Sequence, residues 1–128
     1  MSDIIWALDQ RERCIACPSK PAANAVVLYL GEDGSLPRES VGSLAERGVM
    51  AAGVVWAGVT AELTDDDWLD LEDAASGLGG LASAVAVVGE GDAADVAQKV
   101  AERVGGLAHA GAASDERLVE KLAEIAPV

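Results

Sequence analysis

Ala84-Val85-Ala86-Val87-Val88-Gly89-Glu90-Gly91-Asp92-Ala93-Ala94-Asp95-Val96-Ala97-Gln98-Lys99-Val100-Ala101-Glu102-Arg103-Val104-Gly105-Gly106 is the stretch whose reading decides the fold. The unbroken apolar run 84–88 has the length and composition of a strand buried on both faces. Gly89 and Gly91 interrupt it, and from there Val96, Val100 and Val104 recur at every fourth position. That spacing lays a narrow apolar stripe along one side of a helix, which Gly105 and Gly106 stop. Strand, tight turn and helix in this order make one strand-to-helix unit of an α/β domain.

Working outward, Ala25-Val26-Val27-Leu28-Tyr29-Leu30 is a second apolar run of strand length, closed by the turn Gly31-Glu32-Asp33-Gly34. Pro37 opens a short helix that ends before Gly48, with Val41, Leu44 and Ala45 on one side. The run Val49 to Leu63 holds the β-branched Val54, Val55, Val59 and Thr60, with Gly53 and Gly58 weakening any helix, and reads as a buried strand. Thr64 caps the next helix, and Asp65, Asp66 and Asp67 meet the positive end of its macrodipole. Trp68, Leu71, Ala75 and Leu78 share a face of that helix. Leu107 to Ala110 reads as a short last strand. Ser114-Asp115-Glu116 then starts a final helix that turns Leu118, Leu122 and Ile125 inward.

At the other end, Ile4 to Leu8 is a possible short strand. The segment 9–21, with two prolines and mixed charge, reads as a loop or extended arm. The division expected is therefore an N-terminal strand and basic Cys-containing arm over 1–24, followed by an α/β domain over 25–128. The fold class is a single three-layer α/β domain, Rossmann-like, with a mostly parallel sheet and helices on both faces.

The 128 residues suffice for one domain, and a hydrophobic content of 51% permits a real core. With no Phe, one Tyr and three Trp, that core must be aliphatic and rich in Ala, burying less area per side chain. Such a domain gains from a partner surface, so a homo-oligomer or a protein partner is expected. The formal charge of -13, from 22 acids against nine bases, repels phosphate backbones and anionic headgroups. Nucleic-acid and membrane binding are excluded on that ground. Scarce lysine among many acids also suits adaptation to high salt. No segment reaches the ~18–20 apolar residues of a membrane span. The amino terminus has no basic region before an apolar run, so the expected location is cytoplasmic, with Cys14 and Cys17 reduced.

Cys14-Ile15-Ala16-Cys17 spaces two thiols as a redox pair or half a metal site would. Two more ligands would be required for zinc, and His109 is the one histidine. Arg11, Arg13 and Lys20 surround the pair as a basic island on an acidic chain, which suggests an arm that docks on an acidic neighbour. Gly89, Gly91 and Ala94 fit G-x-G-x-x-A between a strand and a helix, the form of a cofactor-binding turn for a nucleotide or flavin. Asp115 or Glu116 follows at the loose spacing of a ribose-binding acid. Against this, Glu90, Asp92 and Asp95 would crowd a phosphate with like charge. The plainer reading is a Gly-rich connector.

Taken with Val26 to Leu36, this turn resembles the amino-terminal domain of the electron-transfer flavoprotein α subunit, where one strand ends in an acidic Gly turn and a later one in a Gly-rich turn. The segment from Trp56 to Leu78 departs from that pattern, and no residue roles carry over. The acids 65–67, 70, 72 and 73 lack the spacing of a calcium loop and read as a solvated helix face. The sequence assigns no catalytic residue. The function it supports first is a small acidic non-catalytic subunit that self-assembles or docks onto a larger complex. Thiol or metal chemistry at Cys14 and Cys17 is the alternative, and nucleotide or flavin binding the next.

Overall fold

The computed structural model describes residues 4–11, 13–30, 36–55, 64–89, 91, 93–110 and 116–127. Its elements are β1 (Ile4–Asp9), β2 (Arg13–Pro18), β3 (Ala25–Leu30), α1 (Arg38–Glu46), β4 (Met50–Val54), α2 (Asp65–Gly79), β5 (Ala84–Gly89), α3 (Ala93–Val104), β6 (Leu107–Ala110) and α4 (Glu116–Ile125). They form a single α/β domain around a six-stranded sheet in the order β1-β2-β4-β3-β5-β6. Strands β4, β3, β5 and β6 run parallel, while β2 is antiparallel to both β1 and β4. The mostly parallel sheet expected from the 84–106 stretch is the one observed, and β5 lies in its interior between β3 and β6.

Strict alternation along β3 divides the core in two. Ala25, Val27 and Tyr29 pack with Val41, Leu44 and Ala45 of α1 and with Leu118 and Leu122 of α4. Val26, Leu28 and Leu30 pack on the other side with Leu71, Ala75 and Leu78 of α2 and with the Val96, Val100 stripe of α3. Every residue of β3 is buried, which explains why it reads as an unbroken apolar run. Helix α2 starts as its sequence predicts: Thr64 Oγ1 accepts from the Asp67 amide at 3.2 Å, and Asp67 Oδ2 accepts from the Thr64 amide at 3.0 Å.

Three expectations change. The arm over 9–21 is not a loop: residues 13–18 form β2, a strand between β1 and β4 in the same sheet as the rest of the chain. Arg11 and Arg13, two of the charges that suggested a loop, sit at the hairpin turn, where the Gln10 amide donates to the Arg13 carbonyl at 2.8 Å. Pro18 is tolerated because it ends the strand. The strand expected over Val49 to Leu63 is β4, Met50–Val54. Ile125, expected inward, is 51% exposed. Ala126 is buried in its place, and its carbonyl accepts from the Asn24 amide at 2.7 Å, tying the end of α4 to the start of β3. Residues 31–34, 56–63, Glu90, Asp92 and the Ser114-Asp115 helix start lie outside the described residues.

The hairpin β1–β2 contains an irregularity that matters below. Trp6 opposes Ala16, but Leu8 opposes Ile15, so Ala7 has no opposite number. A bulge of this kind reverses which face successive side chains occupy. Before it, Trp6 packs under α1, close to Gly42. After it, Asp9 is on the α1 side, bonded to Arg38 at 2.6 Å, and Leu8 joins Ile15 on the α2 side.

Candidate functional site

Strand order locates the place where this sheet would present a ligand. The chain leaves β3 toward β4 and the hairpin, then returns across β3 to β5 and continues outward to β6. Connections leaving β3 and β5 in opposite directions open a crevice beyond their carboxyl ends, at Leu30 and Gly89. Gly89 and Ala93 stand at that crevice and approach each other closely. Gly89 ends β5, and a Cβ built on it would fall 2.6 Å from the Ala93 carbonyl carbon and closer still to its oxygen. No side chain fits there. Gly91, exposed, has φ +55, the left-handed region that glycine enters without strain. Ala93 is fully buried and starts α3, with Ala94 beside it. The residues Gly89, Gly91 and Ala94 are therefore brought together, on a strand-turn-helix as their spacing predicts. Their packing departs from the dinucleotide pattern: the first glycine, not the third small residue, makes the close approach of helix to strand. Glu116, the more distant acid, opens α4.

The two cysteines are separated by the strand they share. In β2 the burial alternates, so Cys14 and Ala16 point beneath α1 while Ile15 and Cys17 point to the opposite side. Residues three apart on a strand are also about 10 Å apart at Cα, beyond disulfide reach. Both thiols are free. The expected Cys14–Cys17 metal or redox pair is thus corrected by strand periodicity, and among the described residues no group of three or more His, Cys, Asp and Glu could hold a metal ion. Burial raises the pKa of Cys14, while a backbone hydrogen bond at Gly53 and the Arg38 charge oppose the rise. The fold favours the protonated thiol. That contribution is complete below the ordinary thiol pKa and is lost as pH climbs through the raised native value, so stability falls on the alkaline side. At pH 8, maleimide labelling followed by mass spectrometry is expected to modify Cys17 at least tenfold faster than Cys14. Equal rates would mean that β2 does not hold its place in the sheet.

The basic island is divided in the same way. Arg11 and Arg13 lie at the hairpin turn, whereas Lys20 follows the far end of β2. The five residue steps of β2 alone put about 16 Å between the two groups. His109 sits on β6 opposite Val88. On α2 and α3, Arg103 bonds Glu72 at 2.6 Å and lies 5.2 Å from the Trp68 ring centroid, with Lys99 at 5.8 Å, which ties the two helices together.

One feature left no mark in the sequence. A cavity of about 280 Å³ lies between the sheet and α2, lined by Leu8, Ile15, Leu28, Ala52 and Leu78 with Arg13 and Asp73. Its detection requires knowing that 13–18 is a strand and that a bulge turns Leu8 toward α2. Neither was readable from residue types alone.

No family model matches the chain, and a search of curated proteins finds no match. Among solved structures it is similar to an esterase from Pyrobaculum calidifontis, crystallised in a monoclinic form, with a TM-score of 0.54 and 18% identity. The likeness covers 81% of this chain and 40% of that chain, so this chain spans less than half the length of the esterase. At this identity the likeness shows the fold alone, an α/β domain. No described helix is long and apolar enough to cross a membrane.

Proposed function

We propose that this chain is a non-catalytic α/β subunit that assembles with a second copy of itself or with a larger protein. The observation that carries the non-catalytic half is Gly91. In hydrolases built on an α/β sheet, the nucleophilic serine occupies the middle of a G-x-S-x-G turn between a strand and a helix, where the backbone is sharp and the flanking residues must be small. The turn Gly89-Glu90-Gly91-Asp92-Ala93 has that construction: small residues at both ends, an exposed middle residue at positive φ, and α3 directly behind it. Its middle residue has no side chain, and so no oxygen or sulfur with which to attack an acyl group.

Support for assembly comes from the sheet margins. Among the described residues, strands β1 and β6 each pair on one side alone. β6 reads Leu107-Ala108-His109-Ala110, without the Lys, Glu or Pro that commonly guard an edge against another chain. On β1, Ile5 is 66% exposed. Multi-angle light scattering of the full chain at micromolar concentration tests the reading, with a mass near twice 13.0 kDa expected for self-assembly. The same sample should hydrolyse p-nitrophenyl acetate no faster than buffer. A monomer that turns over the ester catalytically would overturn both halves of the proposal.

A further inference from the structure

We propose that the cavity between β2, β4 and α2 is a binding site for a small, uncharged, mostly apolar molecule, separate from the Gly89 turn. Helix α2 packs over β3 and β5 and against α3, and among the described residues no helix covers the α2 face of β2 and β4. The floor there is made of short side chains, Ala52 and Gly53, and the neighbouring wall of α2 offers Ala74 and Gly77. A Cβ placed on Gly77 would meet nothing within 4 Å. A glycine inside a helix costs about 1 kcal/mol relative to alanine, and here no close packing requires it. Gly77 is exposed, and the absence of a side chain there leaves the α2 rim of the cleft open.

The walls are chemically consistent with an apolar guest. Leu8, Ile15, Leu28, Val54, Leu78 and Leu81 supply most of the lining, and Leu81 is 60% exposed, as a side chain awaiting a contact would be. Leu8 belongs to this wall because the bulge at Ala7 turns it away from α1. Size narrows the class further. A dry apolar cavity of about 150 Å³ accepts benzene. This space is a cleft open on one side rather than a closed cavity, and its roughly 280 Å³ accommodates a bicyclic aromatic or a chain of roughly six to eight carbons.

Two charged residues reach this cavity, Arg13 and Asp73, both exposed, and neither makes an ion pair among the described residues. One donates hydrogen bonds and the other accepts them, so a neutral hydroxyl or amide can be met by both. A carboxylate head would gain Arg13 but be opposed by Asp73 and by the overall charge of -13. An ammonium head would gain Asp73 and that overall charge but be opposed by Arg13. Either charged head must shed far more hydration than a hydroxyl to enter an apolar space. None of the lining residues comes from the Gly89 turn, so this site does not depend on whether the chain is catalytic.

The probes are 1-heptanol, indole, heptanoate and heptylamine, titrated into the full chain and followed by methyl NMR at Ile15, Ala52 and Ala74. Saturable shifts confined to these residues are expected with heptanol and indole, with heptanoate and heptylamine at least tenfold weaker. Gly77→Leu fills the opening and is expected to weaken heptanol binding at least tenfold while leaving the circular dichroism unchanged. Gly77→Ala, a smaller intrusion, serves as the variant that keeps the fold should the leucine disturb it, and is expected to weaken binding two- to threefold. Shifts spread over the whole surface, or heptanol affinity unaltered by both variants, would overturn the proposal. Heptanoate binding more tightly than heptanol would overturn the assignment of an uncharged ligand.

Discussion

Replacing Gly89 by alanine lowers the stability of the fold by about 3 kcal/mol, near the upper end of what an overpacked core residue costs. The obstacle is not a flexible side chain that can swing aside. It is the backbone of Ala93, with its carbonyl carbon 2.6 Å and the Ala94 nitrogen 3.0 Å from the added methyl. Relief requires α3 to move, and α3 is anchored by Val96, Ala97 and Val100, all fully buried against the sheet. The same substitution at Gly77 meets open space inside a regular helix and should raise stability by about 0.5–1 kcal/mol. Paired urea titrations of the two variants make the comparison internal to one protein. Equal midpoints for Gly89→Ala and the parent would mean that the turn is looser than described, and the argument from Gly91 would lose its geometric basis.

Leu118→Ala is the second substitution with a large effect, a loss of about 3 kcal/mol. Leu118 is fully buried in the layer it shares with α1, next to Leu122 and the inward residues Val27, Tyr29 and Val88. Because this core is built from Ala and Val with few large groups, it has little material to refill a void of that size. The cavity cost therefore adds to the lost burial. A denaturation midpoint unchanged by Leu118→Ala would show that α4 is dispensable, and that α1 alone holds that face of the sheet. The predicted drop ties the last helix into the same cooperative unit as β3.

How far the sequence could be read follows from which signals are local. The unit Ala84 to Val104 was legible because both its periodicities are complete within it: an unbroken apolar strand, then valines at every fourth position. The capping of α2 was legible for the same reason, since Thr64 and Asp67 are three residues apart. β2 was not. Its six residues alternate Cys14 and Ala16 inward against Arg13, Ile15 and Cys17, a pattern too short and too mixed to stand out beside two prolines. It becomes a strand through partners far along the chain, Gly53 and Ala52 on one side and β1 on the other. The thiols follow from the same distinction. Taken as a loop, 14–17 invites a thiol pair; as a strand, it sends the two thiols apart. Gly91 was noticed as part of a cofactor pattern, but its place at the middle of a sharp elbow depends on the contact between Gly89 and Ala93, which no spacing rule encodes.

The unmatched Ala7 works as a phase correction between the hairpin and the layers on either side. Were the pairing to run straight through it, Leu8 would oppose Cys14 beneath α1, and Asp9 would be the residue turned toward the apolar walls opposite. By absorbing one position the strand delivers its leucine to one layer and its carboxylate to Arg38 in the other. Shortening β1 by that single residue should therefore straighten the ribbon yet leave each side chain on its present side, whereas adding one elsewhere along β1 would exchange them.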